Sequence, residues 1–167
     1  MWDKVAECLE GYPERLAVAK TLIKNGLSVR EGRIYCDEIM IPALRVSRAA
    51  GVDRRTVTQT VRMIEKDPEL RVIFEGIRPA GTSLREIARY LNLGVVEITP
   101  VDAKTPGILA RSASLIAEEN ISIRQAIVDD PELTPEPRLT LIAEKKIPGE
   151  LIPRLLKVKG VAKVSVY

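Results

Sequence analysis

The sequence predicts an α+β chain. A helical front half carries one small hairpin, and a back half forms an antiparallel sheet with two helices on one face. Two observations predict this. Up to about residue 94, apolar residues recur at helical spacing, interrupted at glycines and prolines. From Val95 onward the order runs strand, helix, strand, strand, helix, strand, which antiparallel pairing closes into a single sheet. The 167 residues are enough for one domain or two small ones. The expected division is a helical domain over 1–78, a connecting helix over 79–94 and a sheet domain over 95–167.

The front half reads in order. Trp2, Val5, Ala6 and Leu9 share a helical face that Gly11 ends. Pro13 suits a first helical position, and Leu16, Ala19 and Ile23 continue a stripe to Asn25-Gly26. "LSVREGRIYC" alternates and turns at Glu31-Gly32, and "EIMI" adds a short strand before Pro42. A short helix then runs from Pro42 to about Ala50 and meets Gly51. Asp53 caps a second helix reaching about Glu65. Leu44, Val46, Ala50, Val52, Val57, Val61 and Ile64 are the expected inward positions. Asp67-Pro68 opens a further short helix. Thr82 or Ser83 caps "LREIARYL", with Leu84, Ile87, Ala88 and Leu91 expected inward.

In the back half "VVEITPV" is a strand and "TPGILARSASLIAEE" a helix. Leu109, Ala113 and Ile116 lie on one face of that helix, with Ile108, Ser112 and Leu115 beside it. "ISIRQAIVDD" and "RLTLIAEK" are alternating strands, with Asp129-Asp130 read as a solvated hairpin tip. A helix starting close to Glu150 tolerates Pro153 only in its first turn. "VAKVSVY" closes the chain. This is the split βαβ, ferredoxin-like order. Roughly 70 residues make a small lone core, so pairing with a second copy is expected.

Charge is uneven. The chain carries 26 Lys/Arg against 23 Asp/Glu. Residues 43–63 hold Arg45, Arg48, Arg54, Arg55 and Arg62 against one acid, Asp53. Such a patch suits an anionic partner. Small Ser47 and Ala49, then Gly51, then Thr56-Val57 fall at a spacing that resembles the helix-turn-helix of DNA-binding proteins. On that resemblance Arg54, Arg55, Thr58, Gln59 and Arg62 form the outer face of the second helix. Arg and Gln there read base edges, and Arg45 and Arg48 meet phosphates.

In "VDAKTPGILA" a strand ends in a proline-glycine turn that opens a helix. Backbone N–H groups are bare at a helix start and can hold an anion, with Lys104 nearby. Asp102, Pro106-Gly107 and Leu109, followed by "ENISI" and the closing "VKGVAKVSVY", carry a resemblance to the ACT domain. That is the small ligand-sensing module of amino-acid enzymes and regulators. The resemblance implies pairing between subunits and an amino acid held between them. The implied ligand positions are Asp102, Thr105, Gly107, Ile108 and Leu109, with Ile121, Ser122 and Ile123 opposite. The chain departs from the family at Ser122, where asparagine is frequent. With "GVDRRTV" and "RVIFEGIRP" included, the whole chain resembles archaeal proteins described as predicted regulators of amino-acid metabolism.

Other classes are disfavoured. There is no His in the chain, so neither Cys8 nor Cys36 has an imidazole base. The two cysteines have no metal spacing and read as free thiols of a reduced cytosol. No apolar run approaches the length of a membrane span. The expectation is a cytoplasmic homodimeric regulator with no cofactor and no metal. It would bind DNA through the helix pair and a small effector, an amino acid, through the back half. A regulatory subunit that binds an amino-acid pathway enzyme through the same basic helices stays open beside it.

Overall fold

A computed structural model describes all 167 residues, Met1–Tyr167, in two units, Met1–Gly81 and Thr82–Tyr167. The chain is α+β, with two antiparallel sheets. No helix is long and apolar enough to cross a membrane.

The first unit begins with helices α1 (Trp2–Cys8) and α2 (Pro13–Lys24). Strands β1 (Ser28–Arg30), β2 (Arg33–Cys36) and β3 (Ile39–Ile41) then meander as one antiparallel sheet in that order. Helices α3 (Ala43–Ala50), α4 (Arg54–Lys66) and α5 (Pro68–Gly76) follow. Val5, Leu22, Val57, Ile64, Leu70 and Phe74 meet in a core closed to solvent. Asp67 separates α4 from α5, and its carboxylate accepts the Glu69 and Leu70 N–H groups at 2.9 Å. That cap satisfies amides the new helix cannot bond itself. One expectation fails here. Leu44, expected inward, is 44% exposed, while Val46 and Ser47 supply the buried face of α3.

The second unit starts with a 3-10 helix (Arg85–Leu91), followed by β4 (Gly94–Pro100), α6 (Ile108–Glu118), β5 (Ile123–Val128), β6 (Leu139–Ala143), α7 (Leu151–Leu156) and β7 (Val161–Val166). The strand order is β5-β6-β4-β7, all neighbours antiparallel. Val96, Ile98, Ile116, Leu141, Leu151 and Leu155 fill the space between sheet and helices.

The segment before β4 differs from expectation. It is a 3-10 helix rather than an α-helix, and Ile87 and Leu91 are about half exposed. Only Ala88, with Leu84 beside it, packs inward, against Leu93, Val95 and Ile142 on the second face of the sheet. Polar anchors pin the segment there. The Gln125 amide donates to the Thr82 carbonyl, its oxygen accepts the Leu84 N–H at 3.0 Å, and Arg85 bonds Glu97. A threefold repeat keeps Arg85 and Ala88 on one side. This covering makes all five residues of β6 buried, where alternation predicted a single buried face.

The stripe of α6 is also shifted. Ile108, Ser112 and Ile116 are buried, whereas Leu109 is 42% exposed.

Candidate functional site

Two surfaces carry the residues singled out in the sequence. The first is on α3 and α4. α3 ends at Gly51, whose φ of +68° is a left-handed conformation that side-chain-bearing residues resist. Asp53 then caps α4, accepting the Arg55 N–H at 2.7 Å. Val57, Thr60, Val61 and Ile64 bury one side of α4, which turns Arg54, Arg55, Gln59 and Arg62 outward. Arg45 and Arg48 are exposed on α3. None of these five arginines forms an ion pair.

The polar residues between them are partly engaged. The Thr58 hydroxyl donates to the Arg54 carbonyl at 3.2 Å. The Gln59 side-chain oxygen accepts from Arg15 at 3.4 Å, a long bond. Arg15 itself stacks over Tyr12 and donates to the Met63 sulfur. The sequence pattern marks the arginines and Gln59 but gives no sign that Arg15, on α2, joins them.

The second surface surrounds the turn between β4 and α6. Asp102 shapes that turn: one carboxylate oxygen accepts the Lys104 N–H at 2.9 Å. Gly107 precedes α6 with φ +91°, and a Cβ there would meet only Arg111 Nε at 3.8 Å. The glycine is needed for its backbone conformation, not to make room. No side chain caps α6, so its first amides have no intrahelical acceptor.

Thr105, Gly107, Ile108 and Leu109 line a cleft of about 210 Å³ together with Val128, Asp129, Pro137, Arg138 and Leu139. Ile121, Ser122 and Ile123 are not among its walls. Register explains why. Ile98 and Val128 both lie opposite Leu139, whereas Ile123 lies opposite Ala143, level with Gly94 at the far end of β4. Within one chain the two implied halves of the ligand set therefore stand at opposite ends of the sheet.

Asp129 and Arg138 were missed in the sequence. The adjacent pair Asp129-Asp130 suggested a solvated tip, yet Asp129 is half-buried because its backbone pairs with Arg138 across the hairpin mouth. Arg138 also approaches a buried cluster on the other face of the sheet. Glu97, 5% exposed, bonds Arg85, accepts from the Tyr167 hydroxyl at 3.2 Å and lies 3.6 Å from Arg138. Burial alone would raise the Glu97 carboxyl, but Arg85 first, then Tyr167 and Arg138, outweigh it and hold it below its ordinary value.

Desolvation, then Asp67 and Glu69, push Cys8 above its usual range, which disfavours the thiolate. No group of three His, Cys, Asp or Glu side chains stands close enough to hold a metal ion. No protein-family model matches the chain, and no curated protein is recognisably similar to it in sequence.

Proposed function

We propose that the chain is an amino-acid-responsive regulator that binds DNA through α3 and α4 as a helix-turn-helix and senses its effector through residues 82–167 as an ACT-like module. The observation that carries the reading is the set of five outward arginines on α3 and α4 without a single acidic partner. A phosphate backbone supplies the missing anions, and Arg54, Arg55 and Gln59 have the donors that base edges accept. The β-α-β-β-α-β order and the strand sequence β5-β6-β4-β7 are those of the ferredoxin-like fold, which supports the sensing half.

In this reading two chains pair through their sheet units, and the pairing sets the spacing of two DNA readers. An effector shifts DNA affinity only by its preference for one pair geometry, a coupling of about 1–3 kcal/mol. The test is duplex binding at low salt by fluorescence anisotropy. Arg54→Ala with Arg55→Ala should cost about 1–3 kcal/mol per residue if both reach base edges. Unchanged affinity in the double variant would remove the recognition-helix assignment. Recovery of an enzyme rather than DNA on the wild-type chain would favour the regulatory-subunit reading.

A further inference from the structure

Gln59 is the one amide side chain on α4, and it is exposed on the outer face. An unanchored glutamine presents either end of its amide, the oxygen that accepts or the NH2 that donates. Here the oxygen is engaged. Arg15 Nη2 donates to Gln59 Oε1 at 3.4 Å, and arginine, which has no acceptor, can meet only that end. The bond is long, but three other contacts hold the guanidinium and the two helices in place. Arg15 Nη1 donates to the Met63 sulfur at 3.2 Å, and the guanidinium lies 4.3 Å from the centre of the Tyr12 ring. One residue earlier on α2, Glu14 accepts from the Thr56 hydroxyl at 3.0 Å. Thr56, Gln59 and Met63 are three and four residues apart, so they line one side of α4, and the first turn of α2 clasps that side.

We infer that Arg15 is a positioning residue that leaves Gln59 only its NH2 group to offer a base, so that the base facing Gln59 is guanine rather than adenine. The inference rests on the DNA-binding reading and adds a base preference to it. Glutamine reads adenine through two bonds, its oxygen accepting from N6 and its NH2 donating to N7. With the oxygen turned toward α2, the first of these is lost. Guanine offers two acceptors at its major-groove edge, O6 and N7, and an NH2 group alone satisfies them.

The experiment is selection of duplexes from a randomised pool by the full wild-type chain, then fluorescence anisotropy on the selected site with each base pair exchanged in turn. Gln59→Ala identifies the pair that Gln59 faces, because discrimination is lost at that pair alone. There the wild-type chain should prefer guanine to adenine by about tenfold, the scale of one base-edge contact. Arg15→Met keeps an unbranched stem against Tyr12 and Met63, removes the donors and should shift that preference toward adenine by about tenfold. Arg15→Lys retains a donor and should stay closer to wild type. Combined with Gln59→Ala, Arg15→Met should change base preference no further, since it acts through the amide. Circular dichroism checks that the variants fold, and the guanine preference of the wild-type chain is read without any change at Arg15.

A wild-type preference for adenine or a pyrimidine at that pair overturns the inference, as does a preference that Arg15→Met leaves unchanged. A loss of affinity in Arg15→Met that is equal for guanine and adenine would make Arg15 a phosphate contact, and overturns it too. If Gln59→Ala loses no discrimination while duplex binding stays intact, Gln59 is outside the interface; the inference falls and the DNA-binding reading stands. No binding of any duplex overturns the inference together with that reading.

Discussion

On α3 and α4, Arg45, Arg48, Arg54, Arg55 and Arg62 all face solvent and none meets an acid. In the second unit Arg85, Arg124, Arg138 and Arg154 each lie against one or two glutamates. The same side chain is used in opposite ways. For these four the charge is spent on the fold, where Arg85 crosses from the covering segment to a buried Glu97. On the helix pair the charge is left outward, where it generates a field that an anion can use. Composition alone does not distinguish the two uses, because both units are rich in arginine and glutamate; the placement of the acids does.

The comparison is broken first at Glu97. Glu97→Gln leaves Arg85 and Arg138 without their buried acceptor charge. Both arginines are more than a third exposed, so the expected loss is about 1–3 kcal/mol, below that of a fully buried pair. Urea denaturation followed by far-ultraviolet circular dichroism measures it. The same variant sharpens the acid limb. Because the folded Glu97 carboxyl lies below its ordinary 4.5, its contribution is present above that pH and is lost as pH falls through the folded value. Glu97→Gln should flatten the stability curve below about pH 4.5 and leave it parallel to wild type above. A curve unchanged at acid pH would mean the cluster contributes nothing.

Smaller effects separate the two groups of arginines more finely. Arg154→Ala removes an exposed pair with Glu118 and Glu119 and should cost about 0–1 kcal/mol, with DNA affinity unchanged. Arg48→Ala should leave stability within about 0.5 kcal/mol of wild type, since nothing in the fold holds that side chain, while weakening DNA binding. A stability loss as large as that of Glu97→Gln would show that Arg48 belongs to the fold after all.

Local signals made most elements legible. Gly51, Asp53, Asp67-Pro68 and Pro106-Gly107 mark turns because few other residues adopt those backbone conformations or offer those caps. What the sequence left open was the choice among neighbouring stripes. Leu109-Ala113-Ile116 and Ile108-Ser112-Ile116 are both credible faces of α6. Packing selects the second, despite the hydroxyl of Ser112. Ile87 and Leu91 looked inward on an α-helical period, but the segment winds as 3-10 once Gln125 and Glu97 fix it to the sheet. The arginine patch was readable as density, and its lack of acidic partners was not, because partners are set by tertiary contacts. Asp129 was hidden for a similar reason: its burial comes from pairing with Arg138 across a nine-residue separation.

The central claim is that the unpaired arginines of α3 and α4 meet nucleic acid, Arg45 and Arg48 at its phosphates. The most direct test is the salt dependence of duplex DNA binding. Each phosphate contact contributes about −0.9 to the slope of log affinity against log salt. Arg45 and Arg48 at phosphates should contribute roughly −2 to the slope per chain, and Arg45→Ala with Arg48→Ala should make it shallower by about that amount. A slope near zero, or one that the double variant leaves unchanged, would contradict the account.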